Sequence, residues 1–139
     1  SWRELINRAA PADELTLQFR SPTAFSLATD ERGRKRYGLF PDGPTVFRSL
    51  IKRWNAFPPL PLDAAILDEV DILTKQYTLQ TEMLQFGKGP QLGFTGQVTY
   101  RVSGDDVPRH LISALADAAL YLGVGAKTTQ GMGLVRRIR

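Results

Sequence analysis

Apolar and polar residues alternate near the start of the chain, in the segment ELTLQFRS that begins at Glu14. A period of two is typical of a strand with one buried face and one exposed face. The pattern predicts a strand with Leu15, Leu17 and Phe19 inward and Thr16, Gln18 and Arg20 outward.

A second alternating segment, GFTGQVTYRV, begins at Gly93 and predicts another half-buried strand. Its inward face is Phe94, Gly96, Val98, Tyr100 and Val102, and its outward face is Thr95, Gln97, Thr99 and Arg101. A long strand is also expected from about Ile72 to Phe86, where the apolar parity shifts near Thr81 and indicates a β-bulge or a strong twist. The segment FGKGPQLG between these strands is turn-like, so the pair is predicted to form a hairpin.

Two other segments place their apolar residues at helical spacing. In TVFRSLIKRWNAF, Thr45 is the expected N-cap, and the run PPLP ends the helix. Its apolar stripe is Val46, Phe47, Leu50, Ile51, Trp54 and Phe57. The second helix is expected to start at the acidic residues before Pro108 and to end at Gly123. Its stripe is Leu111, Ile112, Leu115, Ala119 and Leu122.

The remaining segments complete a fold prediction. The segment from Ser21 to Pro44 shows no clear period and predicts a strand extension followed by a long loop, while Asp63 to Val70 could form a short helix. The final segment LVRRIR predicts a last strand. The order is βαββαβ, so we predict an α+β ferredoxin-like fold with both helices on one face of an antiparallel sheet. Residues 1–13 are expected to be an entry segment or interdomain linker, and residues 14–139 the domain.

Charge favours a polyanionic partner. The chain has 18 Lys and Arg against 14 Asp and Glu, with a formal net charge of +4. Basic residues cluster at Arg32 to Arg36 and at Arg136 to Arg139, and the open sheet face is expected to be polar and mildly basic.

The sequence has no Cys, which excludes disulfides and fits a reducing compartment. No apolar run approaches the roughly 18 residues of a membrane span.

The segment GVGAKTTQGMG, from Gly123 to Gly133, is the most distinctive part of the chain. A phosphate loop of the Walker A type leads from a strand into a helix, with Gly directly before Lys, whereas this loop leaves a helix and has Ala126 before Lys127. A dinucleotide fingerprint is excluded by the same orientation. Two interpretations stay open: glycines that only permit turns, or backbone amides that hold phosphate together with Lys127, Thr128 and Thr129.

Other candidate sites are weaker. His110 is the only histidine and lies in the first turn of a predicted helix, where the dipole disfavours its cation and no neighbouring base is present. We therefore treat His110 as a surface residue rather than a catalytic or metal-binding one. The segment GFTGQVTY partly resembles an RNA-stacking motif, but Phe94 and Tyr100 share the parity of Val98 and are expected in the core.

Three motifs together resemble a known family. They are the glycine-rich segment before the last strand, FRSPTAF at the first strand, and FPDGPTVFRSLIKRWNAF at the first helix. The pattern, from about Glu14 to the end, is similar to the C-terminal domain of CRISPR-associated endoribonucleases of the Cas-six type, in the RAMP superfamily. The resemblance implies a prokaryotic, cytoplasmic protein that binds CRISPR repeat RNA and processes it without metal or other cofactor.

The resemblance also implies a division of labour. The family carries two ferredoxin-like domains, with the acid/base histidine normally in the first, so no catalytic residue is expected in this chain. The expected partners are the repeat RNA, an N-terminal ferredoxin-like domain of the same protein and other CRISPR complex subunits, with no membrane. The predicted RNA-binding residues are Arg32, Arg34, Lys35, Arg36, Arg48, Lys52, Gly123, Gly125, Lys127, Thr128, Thr129, Gly131 and Gly133. The alternatives are a non-catalytic RAMP subunit of an effector complex and an unrelated ferredoxin-like regulatory or ligand-binding domain.

Overall fold

A computed structural model describes residues 2–56, 61–86 and 89–139. The helices are α1 (Trp2–Arg8), α2 (Gly43–Trp54) and α3 (Asp106–Leu122), with short 3-10 helices at Ala64–Asp68 and Thr128–Gln130. The strands are β1 (Glu14–Thr23), β2 (Phe25–Leu27), β3 (Arg36–Gly38), β4 (Val70–Phe86), β5 (Gly89–Gly104) and β6 (Val135–Ile138). None of the helices described is long and apolar enough to cross a membrane.

The main sheet has the order β4-β5-β1-β6, and all neighbouring strands are antiparallel. Inward residues of β1 and β5 form one apolar core with the buried residues of α2 and α3, so both helices cover the same face of the sheet. This arrangement confirms the predicted ferredoxin-like βαββαβ topology. On the open face, the hydroxyls of Thr16 and Thr99 are hydrogen-bonded at 2.8 Å, and Arg136 Nε donates to Gln18 Oε1 at 2.7 Å. These open-face side chains of β1, β5 and β6 are polar, as predicted.

Aromatic side chains fill the centre of the core. Phe94 and Tyr100 are 1% and 0% exposed and face the helices, which confirms them as core residues. The Tyr100 hydroxyl donates to the backbone oxygen of Pro41 at 2.6 Å, so its buried polar atom is satisfied. Burial raises the pKa of Tyr100, which keeps the hydroxyl protonated and able to donate. The rings of Phe94 and Tyr100 therefore cannot stack on RNA bases at the open face of β5.

The start of α2 differs from the prediction. The helix begins at Gly43 and its N-cap is Asp42, so the assignment of Thr45 as the cap was wrong. The Asp42 carboxylate accepts from the Thr45 amide at 3.2 Å and from its hydroxyl at 2.9 Å. Pro44 fits the first turn because its missing N–H would have no helical partner there. The expected stripe residue Phe57 lies outside the described residues.

The β4–β5 hairpin is longer than expected, and its irregularity lies elsewhere. Phe86 pairs with Gly89, so most of the segment predicted as a turn belongs to the two strands. The register shift lies between Thr74 and Gln76, not near Thr81, because Lys75 is the extra residue on β4. The segment expected as a long loop also contains strands β2 and β3, which pair as a small antiparallel hairpin.

Residues before β1 include a helix. Leu5 and Ile6 of α1 are partly buried against the core, and His110 of α3 is hydrogen-bonded through Nε2 to the backbone oxygen of Ile6. The role of residues 1–13 as an interdomain linker stays a prediction.

Candidate functional site

The glycine-rich loop, Gly123 to Gly133, connects α3 to β6 and requires glycine for steric reasons. At Gly133, where φ is +75°, an added Cβ would lie 2.0 Å from the backbone oxygen of Val124. At Gly125, where φ is +80°, it would lie 2.4 Å from the backbone oxygen of Ala24. Both distances are well below van der Waals contact, so the loop is closely packed on itself and on the end of β1.

Every glycine amide of this loop already has a protein acceptor. Gly123 donates to Ala119 O at 3.0 Å and Gly131 to Thr128 O at 3.3 Å. Gly125 donates to Ser49 Oγ at 3.0 Å, and Gly133 donates to Pro22 O at 3.1 Å. This differs from the expectation that the glycines leave backbone amides open for phosphate. The four glycine amides are therefore engaged within the protein.

Helix α2 holds the loop in place through Ser49 and Arg53. Arg53 Nη1 donates to Thr128 Oγ1 at 3.0 Å, and Arg53 Nη2 donates to the backbone oxygen of Gly125. Ser49 and Arg53 are four residues apart and so lie on one face of the helix. Partial burial lowers the pKa of Arg53, but a guanidinium stays charged at neutral pH. The helix thus fixes both the backbone and one hydroxyl of the loop.

Sequence analysis did not assign this role to Arg53 or Ser49, because both lie off the apolar stripe among other polar residues of α2. The sequence did offer one signal: Ser49 and Arg53 are four residues apart, a spacing that places two side chains on the same face of a helix. The predicted residues Arg48 and Lys52 lie on the adjacent, exposed face of the same helix.

Lys127 connects the glycine-rich loop to two strands. It has left-handed backbone geometry, with φ of +56°. Its ammonium donates to Gln91 Oε1 of β5 at 2.9 Å and lies 5.6 Å from the centre of the Tyr37 ring of β3. The amide of Ala126 also donates to Ala24 O at 2.8 Å. The loop is therefore packed against α2, the end of β1 and the β2–β3 hairpin.

The basic loop between β2 and β3 carries the predicted cations, which are all exposed: Arg32, Arg34, Lys35 and Arg36. Asp30 organises this loop, since its carboxylate accepts from the Arg34 amide at 2.8 Å and from Arg34 Nε at 3.0 Å. These hydrogen bonds, the backbone one first, lower the pKa of Asp30. Arg36 Nε donates to Ala28 O at 2.9 Å. Within the described part of the chain, the side chains of Arg32 and Lys35 make no hydrogen bond or ion pair.

The structure places the glycine-rich loop against α2 and the β2–β3 hairpin, the elements that carry the other predicted site residues. Thr128 and Thr129 begin a 3-10 turn at the surface of the glycine-rich loop, and Lys127 joins that loop to the hairpin that carries the basic loop. His110 lies elsewhere, at the start of α3 beside α1. Among the described residues, no group of three or more His, Cys, Asp or Glu is placed to hold a metal ion.

The comparisons with known proteins all point to the same protein family. The model of the family CRISPR-associated endoribonuclease Cas6 matches residues 17–135. A Cas6 endoribonuclease of Streptococcus thermophilus is 25% identical over 138 residues, which are 96% of this chain and 54% of that protein. A Cas6 endoribonuclease of Mycobacterium tuberculosis is 29% identical over 126 residues, which are 86% of this chain and 37% of that protein.

Solved structures agree with the sequence matches. A Cas6 product complex is 34% identical with a TM-score of 0.88, over 99% of this chain and 55% of that one. The Thermus thermophilus Cas6 structure has 34% identity and a TM-score of 0.84, over 99% of this chain and 58% of that one. A RAMP protein described as binding different RNA substrates is 21% identical and has a TM-score of 0.58, which supports the fold alone. This chain thus spans about half the length of the Cas6 structures it matches. The chain belongs to the CRISPR-associated endoribonuclease Cas6 family.

Proposed function

We propose that this chain is the RNA-binding C-terminal half of a metal-independent endoribonuclease that processes CRISPR repeat RNA. The observation that carries the proposal is the extent of the match: nearly all of this chain aligns with about half of each Cas6 structure. The activity of the whole protein then needs a second half, which we expect to be an N-terminal ferredoxin-like domain. Other CRISPR complex subunits are further expected partners, and the site of action is the prokaryotic cytoplasm.

The charges of the described residues support RNA as the ligand. The basic loop presents exposed cations, and Arg48 and Lys52 add two more on α2, beside the helix face that holds the glycine-rich loop. A phosphate backbone is bound mainly by such Lys and Arg side chains. Hydroxyl groups like those of Thr128 and Thr129 also contact phosphate and sugar in protein–nucleic acid complexes. The proposed role of this surface is to position RNA rather than to read its sequence.

The position of His110 supports a division of the chemistry between two halves. General acid/base catalysis needs a group within hydrogen-bond reach of the proton that it transfers. The Nε2 atom of His110 is already occupied by the backbone of Ile6, away from the glycine-rich loop. We therefore assign the acid/base that assists attack of the 2′-hydroxyl on the adjacent phosphate to the other half of the protein.

Lys127→Ala tests the proposed phosphate contact. Fluorescence anisotropy would measure the affinity of the chain for two labelled single-stranded RNAs of unrelated sequence, over a series of KCl concentrations. We expect a similar loss of affinity for both RNAs and a salt slope reduced by up to about 0.7, since one phosphate contact is removed. The melting temperature should fall modestly, since the substitution also removes the partly buried hydrogen bond to Gln91 Oε1. Gln130→Ala, at an exposed neutral residue of the same loop, is the matched control.

The outcomes separate the possible roles. A loss confined to one RNA would mean that Lys127 reads sequence rather than phosphate. Unchanged affinity for both RNAs would reduce the glycine-rich loop to a structural turn. Failure of the unmodified chain to bind either RNA at low salt would contradict RNA binding itself.

A further inference from the structure

An apolar groove of about 380 Å³ lies beside the glycine-rich loop, between the C-terminal end of α3 and the start of β6. It is lined by apolar side chains from both elements and by the hydroxyl residues of the loop, among them Leu120, Tyr121, Met132, Leu134, Thr128 and Thr129. Its volume falls at the lower end of the range of about 300–1,000 Å³ found for small-ligand pockets.

Three of the apolar side chains at the groove are exposed. Leu120 is 46%, Tyr121 72% and Leu134 44% exposed, whereas Met132 below them is 2% exposed. Single exposed apolar residues are ordinary, but a contiguous group around a concave surface indicates a binding site. Among these side chains only Tyr121 has a ring whose flat face can stack on a planar ligand.

Arg20 and Arg136 lie on β1 and β6, near Leu134 at the edge of the groove. Leu134 lies opposite Arg20 on the neighbouring strand, because the Arg20 amide donates to Leu134 O at 2.8 Å and the next pair is Phe19 with Val135. Leu134, Arg20 and Arg136 therefore point to the same open face of the sheet. Both arginines are exposed. The carboxylate of Asp117, one turn before Tyr121 on α3, is already paired with Arg137 and Arg139 at 3.0 and 2.8 Å.

We propose that this groove takes an unpaired nucleobase of the bound RNA, stacked on Tyr121 and packed against Leu134, with its phosphates toward Arg20 and Arg136. The proposal rests on the RNA-binding function proposed above and names a subsite for it. An apolar floor beside cations and hydroxyls matches a nucleotide, which combines an apolar π-face with an anionic backbone.

The size of the patch favours a nucleotide over a protein partner. A stable protein interface uses roughly 20–30 residues on each side, whereas the exposed apolar group here is confined to the edge of one small groove. The groove also shares Thr128 and Thr129 with the proposed phosphate-binding surface, so a single RNA strand can contact both.

Tyr121→Ala tests the proposal with the 139-residue chain. Anisotropy would compare a labelled single-stranded RNA of about 12 nucleotides with an abasic strand of the same length, which keeps the phosphates and lacks the bases. We expect the variant to bind the ordinary RNA about 5-fold to 150-fold more weakly, the effect of losing one base–aromatic stack. Binding of the abasic strand and the salt slope should stay unchanged, and Tyr121→Phe should retain the affinity.

Tyr77→Ala is the matched control, because Tyr77 is an exposed tyrosine on β4, at the opposite edge of the sheet from β6, with its ring against Phe40. Thermal unfolding followed by circular dichroism checks that each variant is folded, which the high exposure of Tyr121 leads us to expect. If Tyr121→Ala binds RNA as tightly as the unmodified chain, the base subsite is refuted while RNA binding itself stands. If Tyr121→Ala instead changes only the sedimentation of the chain, the groove is a contact between copies and the proposal is equally refuted. If the unmodified chain binds no RNA, both the subsite and the underlying function are overturned.

Discussion

Replacement of Arg53 by Ala should destabilise the chain, although Arg53 lies on the polar side of α2. The substitution leaves Gly125 O and Thr128 Oγ1 without the guanidinium that now donates to them. A hydrogen bond to a charged group contributes about 1.5–3 kcal/mol when buried. Arg53 is partly exposed, so water replaces some of this interaction, and we expect a total loss of about 1–2 kcal/mol. For a chain of this length that corresponds to a fall in melting temperature of roughly 2–8 °C.

The assay is urea unfolding followed by circular dichroism, with Lys52→Ala as the control. Lys52 is the adjacent exposed cation on the same helix, so its loss should change the free energy of unfolding by no more than about 0.5 kcal/mol. A double-mutant cycle with Thr128→Val isolates the Arg53–Thr128 contact, and a coupling energy of about 0.5–2 kcal/mol is expected. Equal unfolding midpoints for Arg53→Ala and Lys52→Ala would refute the argument that Arg53 holds the glycine-rich loop.

Three further predictions concern cleavage, charge and backbone strain. The chain alone should not cleave labelled CRISPR repeat RNA without metal, because His110 is engaged by α1; cleavage that His110→Ala abolishes would contradict the assignment. Replacement of all four cations of the basic loop by Ala should lower the log–log salt slope of RNA binding by up to about 0.7 for each lost phosphate contact, and an unchanged slope would leave the loop a solvated turn. Gly133→Ala should destabilise the chain by more than Gly131→Ala, since both have positive φ but only Gly133 has a backbone atom in the space of the new Cβ. Equal melting temperatures for these two variants would show that the backbone near Val124 moves aside.

The strands with one buried face were predictable from sequence. In β1 and β5, burial of one face produces the alternation itself, so the pattern and the structure have the same cause. The bulge in β4 was not predictable in position, because it depends on which residues of β5 pair with Thr74 and Gln76. Strands β2 and β3 have three residues each, which is too short to show a period.

The sequence identified several residues of the candidate site, but it did not predict which of them contact each other. Lys127 and the glycines were identified from their composition and their place before the last strand. Their contacts with Ser49, Gln91 and Tyr37 join residues that are far apart in the chain, and only tertiary packing brings them together. The groove at Tyr121 was likewise hidden, because an exposed tyrosine at a helix end has no sequence signal of its own.

The internal hydrogen bonds of the glycine-rich loop change how substitutions in it should be interpreted. Its glycine amides are held by protein acceptors without RNA, so the loop is already ordered and the entropy lost on binding is smaller. Under the proposed function, we expect the glycines to place Lys127, Thr128 and Thr129 rather than to contact phosphate. A glycine variant that loses RNA binding together with thermal stability is therefore no evidence for a direct phosphate contact. Side-chain variants such as Lys127→Ala are more informative, where the loss of affinity for RNA exceeds what the accompanying change in melting temperature explains.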